Sequence, residues 1–548
     1  MSISSLSVAL SGLNAAQAGI RTTQHNISNI NTSGYRRQEV AYTTPSAQFT
    51  SSGYFGSGTA IESVRQIYSQ FLDNAVLQNQ GQLSYYETYS AQASQIDSML
   101  GDSNSGLSKA ISKFFSASSE VANDPTSTAA RQNLLSMGKN LAGRINTLDT
   151  QMQGMLDASN TAVTSMTQEI NVLTTGIASL NASIAKLEGG SGQTANDLRD
   201  QRDALVANLN KLVQVTQVQQ PDGEISLYIG EGQTLVQGKY AYSVSAVTDS
   251  NDSSLKQAVL NIGGMSLPLS GTQIKGGELA GLLAQRDEVL LPAMSDVTAM
   301  AFALSSEINA IHRNGLQQDA ATAGGNFFTP AQEQVGGASG WLSLGTSSSG
   351  SRIANDNYSA SWDGSAFTVV RESDGLSTTV SAGEEVVMDG VAQGFSLYPH
   401  TTFVPVAGSG TWNLNFKSLA ASMSMILGNT TEVAAAASTA NGAGDNRNAL
   451  ALAALRTSRV LNNQQSTFEQ AYQQTVTRTA NNASNADISV SAYTTLVDES
   501  TSSQQGLSGV NLDEEAINLV RFQQAYQASA KAMSVASAIF DELLGVVR

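Results

Sequence analysis

Helical heptad patterns stand at both ends of this 548-residue chain. In each pattern, side chains recur at alternating steps of three and four residues, the spacing by which a helix packs against a partner helix. Because the two patterns lie at opposite ends, we expect the fold to bring the termini together in one unit. The predicted N-terminal seam is Ile3, Leu6, Leu10, Leu13, Gln17, Ile20, Gln24 and Ile27. The predicted C-terminal seam is Leu512, Ala516, Leu519, Gln523, Tyr526, Ala530, Met533, Ser537, Phe540, Leu544 and Val547.

The N-terminal helix should depend on partner helices for its stability. Gly12 and Gly19 each cost about 1 kcal/mol in an isolated helix, and isolated helices of this length are marginal in water. We therefore expect this segment to order only against helical partners. Glutamines at seam positions (Gln17, Gln24 and Gln523) favour one register and one partner at a cost in stability.

Turn and cap signals mark the inner ends of both terminal helices. The first helix should end in the asparagine-rich stretch that begins at Asn26, where Gly34 can take the left-handed conformation that ends helices. Near the other end, Asn511 is predicted to cap the last helix, with Glu514 three residues later as in a capping box. These two signals predict the boundaries of a terminal-helix unit that comprises residues 1–40 plus 508–548.

The interior of the chain alternates between helical and strand patterns. Helical spacing dominates 41–212, 273–330 and 418–507, and proline is absent between Pro125 and Pro221 and after Pro405, which permits long helices. Period-two patterns with turn signals such as Pro221-Asp222-Gly223 occupy 213–272 and 331–417. The predicted fold class is α+β multidomain: a long helical coiled-coil or bundle core built from both termini, a helical domain with short β elements, and an inserted outer β domain or domains.

Composition limits the classes of partner. The net charge of −17 argues against a nucleic-acid or anionic-membrane partner, since both need clustered Lys and Arg. The chain has no cysteine, which excludes disulfides and thiol chemistry. The N-terminus has neither the basic region of a Sec signal nor a continuous apolar span.

Clusters of catalytic or metal-binding side chains are not evident. The three histidines, His25, His312 and His400, are scattered, and we expect each to be a surface or core residue. Asp197, Asp200 and Asp203 recur beside Arg199 and Arg202, which is typical of a solvated, ion-paired helix face and not of a metal site. We expect no enzyme activity, no catalytic residue, no cofactor and no metal.

Periodicity leaves two interpretations of the terminal seams open. The helices could pack on each other inside a self-contained domain, or they could pack between subunits. Polar seam positions and small residues favour the second interpretation, because they tune partner choice and allow close approach.

Two motifs carry a family resemblance. NISNINTSGYRRQ (Asn26–Gln38) and SGVNLDEEAINLVRFQQAYQASAKAMSVASAIFDELL (Ser508–Leu544) resemble the flagellar hook-associated protein type 1 family, the hook-filament junction proteins. The resemblance extends through DLRDQRDALVANLNKLV (Asp197–Val213) and GDNRNALALAAL (Gly444–Leu455), and it is weak over 214–414. It implies a non-enzymatic axial component of the bacterial flagellum, secreted through the flagellar type III apparatus and acting as a mechanical adaptor.

The resemblance also implies partners and an assembly surface. The expected partners are copies of the chain in a ring, the hook protein, the type 3 hook-associated protein, the filament cap during assembly, and a cytosolic export chaperone at the C-terminal region. The inter-domain turn would be shaped by Asn26, Asn29, Asn31, Gly34 and Tyr35. The inner-tube contacts would be made by Leu6, Leu10, Leu13, Ile20 and Ile27 with Leu519, Gln523, Tyr526, Met533, Phe540 and Leu544.

Two alternatives differ in class or in position. Another axial protein is one alternative: a hook or rod protein would share AYQASAK-like C-terminal residues but should lack SGVNLDEE joined to RFQQAYQ. A flagellin-like protein would begin differently, without NISNINTSGY. A type III secreted adhesin or effector could carry heptads but would not need paired terminal seams. Binding to isolated hook ends would separate that second class from a junction protein.

Overall fold

The predicted α+β multidomain fold is confirmed by the computed structural model of the chain. Long helices lie at both ends of the chain and in its middle, and the described residues form six sheets between them. The structure describes residues 2–547 except 33, 51–52, 103–105, 192, 250–251, 253, 272, 336–339, 347–352, 354–355, 400–403, 409, 417–418 and 462–464.

The helices account for the long heptad patterns and for the proline-free stretches. α6 and α7 are joined by a π-helical turn at Arg286–Leu290. In chain order the helices are α1 Ser2–Ser28, α2 Gln70–Leu100, α3 Leu107–Asn123, α4 Thr128–Ser191, α5 Asn196–Leu212, α6 Glu278–Gln285, α7 Leu291–Asn314, α8 Leu419–Ser422, α9 Arg447–Ala454, α10 Phe468–Ser508 and α11 Leu512–Val547.

The strands fall in three stretches, and their sheets are antiparallel. The sheet orders are β1-β4, β2-β3, β5-β6-β7-β8, β11-β10-β9, β12-β19-β14-β15-β16 and β13-β18-β17. The strands are β1 Gln38–Thr43, β2 Gln48–Thr50, β3 Gly53–Phe55, β4 Ala60–Gln66, β5 Val215–Gln219, β6 Ile225–Ile229, β7 Gln233–Gln237, β8 Tyr240–Ala241, β9 Ser243–Thr248, β10 Lys256–Ile262, β11 Met265–Leu269, β12 Gln332–Val335, β13 Leu342–Thr346, β14 Asn357–Trp362, β15 Ala366–Arg371, β16 Ser377–Ser381, β17 Glu385–Met388, β18 Val391–Pro399 and β19 Thr411–Asn415.

Local sequence signals place most of these boundaries. The predicted turn at Pro221-Asp222-Gly223 joins β5 to β6, and Gly223 has the positive φ of 86° that favours glycine. The helix α4 ends at Ser191, directly after the glycine pair Gly189-Gly190. With 64 residues, α4 spans about 96 Å at ~1.5 Å per residue and links two separate cores.

The described residues form two hydrophobic cores, and each contains a different part of α4. The first joins α3, α7 and α10 to the sheets formed by β12–β19, and the second joins the C-terminal half of α4 and α5 to β5–β11. The stretch Glu278–Asn314 has the length and composition of a membrane span, but 83% of its apolar window is buried inside the protein, as in a core helix. Among the described residues, neither core includes α1 or α11.

His312 on α7 belongs to the first core region and not to a surface. Its Nδ1 lies 2.7 Å from the carbonyl oxygen of Gly325, and its Nε2 accepts the backbone N–H of Ala434 at 2.9 Å. Because the ring is buried, its pKa is lowered to about 4, and the buried Arg131 lowers that pKa further while Gly325 and Glu432 oppose the change. His25 lies partly buried on α1, and His400 lies outside the described residues.

We expect His312 to make unfolding sensitive to acid. Above pH 6.5 the His312 ring is neutral in both the native and the unfolded protein. Between pH 6.5 and about pH 4 the ring is protonated in the unfolded chain but stays neutral in the native protein. Stability should therefore fall with pH across this window, by about 2 kcal/mol at pH 5. Denaturant unfolding at pH 7.5 and pH 5, followed by tryptophan fluorescence, measures the loss. His312→Gln cannot titrate and should lose less stability on acidification; an equal loss in both proteins would contradict the assignment.

Candidate functional site

The paired terminal helices form the candidate site, and they meet through small side chains. α1 packs along α11. A Cβ atom on Gly12 would lie 2.8 Å from Ser529 Oγ, and one on Gly19 would lie 2.6 Å from the Phe522 ring, so a side chain at either position would force its neighbour to move. We call the buried face of α1 the small-residue seam: Ala9, Gly12, Ala16, Gly19, Thr23 and Asn26.

The predicted N-terminal seam lies on a different face of α1. From Leu10 to Ile27, each member of the predicted seam follows a member of the small-residue seam by one position, which is about 100° around a helix of 3.6 residues per turn. The closest approach of α1 to α11, at Gly12 and Gly19, therefore does not lie on the predicted face. Leu6 and Leu10 are 40% and 48% exposed, Gln17 and Gln24 are exposed, and Leu13, Ile20 and Ile27 are partly exposed.

The predicted residues of α11 are divided between the intramolecular contact and solvent. Leu519 and Met533 are partly buried, whereas Gln523, Tyr526 and Phe540 are exposed. The side chains of Ile3, Leu544 and Val547 lie outside the described residues. The most buried residues of α11 are Glu515 and Ala536, which the predicted seam omits by one position. The hairpin of α1 and α11 thus leaves large apolar side chains uncovered.

Asn26 joins the end of α1 to the segment that follows it and to the start of α11. Its Oδ1 accepts the Gln38 backbone N–H (3.0 Å) and the Tyr35 hydroxyl (2.7 Å). Its Nδ2 donates to the Gln38 carbonyl (2.9 Å) and to Glu515 Oε2 (3.2 Å). The buried amide therefore uses its full hydrogen-bonding capacity. Burial, with Asp200, Asp197 and Glu515 nearby, raises the pKa of Tyr35, which keeps this donor protonated.

The other predicted turn residues act more locally. Asn29 Nδ2 donates to the His25 carbonyl (3.0 Å), and its Oδ1 accepts the Thr32 hydroxyl. Gly34 has a φ of 79°, the left-handed conformation expected from the sequence. Asn31 is exposed beside a cleft of about 1380 Å³ that separates this turn from α5. The turn residues thus shape the chain path, but only Asn26 and Tyr35 connect separate elements.

The connector, residues 29–69, docks on α5 through a row of aspartates. Asp197 Oδ1 accepts from Gln38 Nε2 (3.2 Å), Asp200 Oδ1 from Gln66 Nε2 (2.8 Å), and Asp203 Oδ2 from Arg36 (2.7 Å). The prediction of a solvated face is therefore wrong for Asp200 and Asp203, which are partly buried. Burial, opposed by Arg36, raises the pKa of Asp200 to about 7. Spacing of three residues on a helix aligns the carboxylates, but only the tertiary structure shows what they bind.

The start of α11 is tied to the connector as well. Asn511 Oδ1 accepts the Asp513 N–H at 2.9 Å, so the predicted N-cap is confirmed. The Glu514 carboxylate forms an ion pair with Arg37, whose backbone N–H donates to the Ser508 carbonyl at 2.9 Å. Arg36 also reaches Asp73 on α2 at 3.0 Å. Polar contacts therefore attach the terminal hairpin to the rest of the molecule.

The described side chains do not include a candidate metal-binding cluster. No group of three or more His, Asp or Glu residues in the described part of the chain could hold a metal ion. What the arrangement offers is an apolar and amide-rich helical surface.

Comparisons with known proteins find two flagellar family models and relatives that share one name. The model of the flagellar hook-associated protein FlgK helical domain matches residues 93–328, and the model of the flagellar basal body rod FlgEFG protein C-terminal region matches residues 504–546. Flagellar hook-associated protein 1 of Salmonella typhimurium is 31% identical over 557 residues, which cover 98% of this chain and 99% of that protein. The Escherichia coli protein of the same name is 31% identical over 551 residues, covering 98% of each.

A solved structure shares the fold. The flagellar hook junction protein FlgK from Burkholderia pseudomallei superposes with a TM-score of 0.61 at 24% sequence identity, over 80% of this chain and 100% of that one.

We expect Asn26→Ala to loosen the terminal hairpin without unfolding the cores. The substitution orphans buried groups of Gln38 and Tyr35 at a cost of about 2 kcal/mol, which corresponds to about 30-fold faster opening. Amide hydrogen exchange of α1 and of the first turns of α11 measures this change, while α4 and α7 should be unaffected.

Asn29→Ala is the matched control, since it removes an asparagine from the same turn but only local hydrogen bonds. Exchange in α1 and α11 should stay near the wild-type rate in this variant. Similar rates in the two variants would refute the linking role of Asn26.

Proposed function

This chain belongs to the flagellar hook-associated protein 1 family, and we propose that the exposed face of its paired terminal helices is its assembly surface. As a family member it is a structural component of the bacterial flagellum at the junction between hook and filament, exported by the flagellar type III system. The proposal concerns a structural role and not a catalytic one.

This proposal rests on the different contacts made by two faces of α1. The small-residue seam makes the closest contact with α11, whereas Leu6 and Leu10 on another face of α1 are exposed. Leaving Leu6 and Leu10 in water gains nothing for the monomer, whereas exposed apolar patches mark interaction sites. The proposed surface comprises Leu6, Leu10, Leu13, Ile20 and Ile27 with Leu519, Gln523, Tyr526, Met533 and Phe540.

The partners follow from where this surface would be covered. In the assembled flagellum we propose copies of the chain in a ring, with the hook protein on one side and the type 3 hook-associated protein on the other, and the filament cap in place during growth. Before export, α11 exposes Ile517, Val520, Val535 and Ile539, each at least half accessible to solvent. We propose that a cytosolic chaperone covers this C-terminal region, because an uncovered apolar helix favours aggregation.

We propose that three units of the chain have separate roles in a mechanical adaptor between hook and filament. The terminal-helix unit, 1–40 plus 508–548, would continue the inner tube, while the helical domain, 41–212 plus 273–330 plus 418–507, surrounds it. The β domain or domains, 213–272 plus 331–417, would lie outside and buffer a bending hook against a stiffer filament. Two features support a separate terminal-helix unit: among the described residues its helices belong to neither core, and they are attached through polar contacts.

The double variant Leu6→Ser/Leu10→Ser tests the assembly surface. Both side chains are exposed, so the stability of the monomer should change by no more than about 0.5 kcal/mol per site. Binding of the purified variant to hooks isolated from a strain that lacks this protein should fall by at least about tenfold, as expected for loss of buried apolar anchors. Purified protein is used so that export does not affect the result.

The matched control is Val172→Ser/Leu187→Ser, which removes two exposed apolar side chains from α4, 72% and 54% accessible. This variant should bind hook ends like the wild type. The proposal fails if both double variants bind equally well.

A further inference from the structure

Exposed aromatic side chains are concentrated in the connector and the first residues of α2. Of the nine aromatic residues that are exposed in the described part of the chain, six lie between positions 42 and 71. Aromatic side chains are the largest contributors to interface energy and are normally covered. Such a concentration in thirty residues, in a chain with 6% aromatic residues, indicates a contact surface. The six are Tyr42, Phe49, Tyr54, Phe55, Tyr68 and Phe71.

The hairpin of β2 and β3 presents these side chains in an ordered way. Phe49 and Tyr54 are directly opposite each other across the two strands, with ring centroids 5.1 Å apart, and they are 74% and 76% exposed. Tyr42 and Ile61 form a second exposed cross-strand pair where β1 meets β4. A two-stranded hairpin is only marginally stable by itself, so aromatic pairs that face solvent are suited to a partner that covers them.

The segments that flank the β2–β3 hairpin are bonded to α1. The Tyr42 hydroxyl donates to the Ala15 carbonyl at 3.1 Å, and the Thr59 N–H donates to Ser11 Oγ at 3.2 Å. Gly58 approaches α1 so closely that a Cβ there would lie 2.2 Å from Ser11 Oγ.

Charge narrows the choice of partner. Residues 40–61 contain no charged side chain, so the hairpin has nothing to attract an anionic lipid or a strongly charged protein. Only 13% of the residues of this chain are charged, which makes its own surface an apt counterpart. We propose that the β2–β3 hairpin packs against a second copy of this chain; this inference rests on the proposed function, because it uses the same assembly.

The geometry of the contact follows from ring formation. A hairpin that met its own equivalent would close a two-fold dimer, whereas a ring requires a head-to-tail contact between different surfaces. The hairpin should therefore contact a part of the neighbouring copy outside residues 42–71.

Photo-cross-linking tests this contact. The variant Phe55→p-benzoylphenylalanine, bound to isolated hooks and irradiated, should yield a product at twice the 57.2 kDa mass of the chain. Mass spectrometry should find the second attachment outside residues 42–71. Tyr240→p-benzoylphenylalanine, exposed on β8, is the control and should give much less of this product. A cross-link mainly to the hook protein, or one from hairpin to hairpin, would overturn the inference.

The double variant Phe49→Ser/Tyr54→Ser gives an independent measurement. It should keep the melting temperature of the monomer but reduce the amount bound per hook by about tenfold, the loss typical of aromatic anchors. Full binding by this variant while Leu6→Ser/Leu10→Ser fails would overturn the inference and leave the proposed function standing. Full binding by both would remove the proposed function as well. If the wild type bound lipid vesicles and the Phe49→Ser/Tyr54→Ser variant did not, the hairpin would be a lipid-binding site. That result would also overturn the inference.

Discussion

The close approach of α1 to α11 is the contact on which the organisation of this molecule depends. Glycines at positions 12 and 19 let the backbone of α1 come within reach of Ser529 and Phe522, so a thin row of small residues is enough to hold the two chain ends together. Because that row uses only one face of α1, the larger apolar side chains remain on another face. The same contact thus closes the hairpin and leaves a surface for neighbours.

Polar contacts fix the orientation of the α1–α11 pair relative to the rest of the molecule. Apolar burial alone would hold the pair in place without fixing its direction. Asn26 uses four hydrogen bonds to connect α1, the connector and α11, and the aspartates of α5 receive Gln38, Gln66 and Arg36. Hydrogen bonds and ion pairs are directional, whereas apolar burial is not. A terminal unit attached in this way has a defined direction relative to the helical domain, while its apolar surface stays available for assembly.

Features with a local cause were predictable. Heptad spacing, the scarcity of proline, the Asn511 cap and the Pro221-Asp222-Gly223 turn placed helices and strands correctly, because each depends on side chains within a few residues of one another. The aspartate row was seen as a repeat, but its partners lie some 130 to 170 positions away, and no local signal identifies them.

By itself, the sequence determined that both termini are helices with a partner, that the interior is α+β, and that the motifs at both ends are those of a flagellar junction family. Only the tertiary structure decided which face of α1 that partner takes. Spacing alone cannot choose between a leucine row and a glycine-alanine row one position away, since both have the same period. The choice comes from how closely two backbones can approach, and that distance exists only once the chain ends have met.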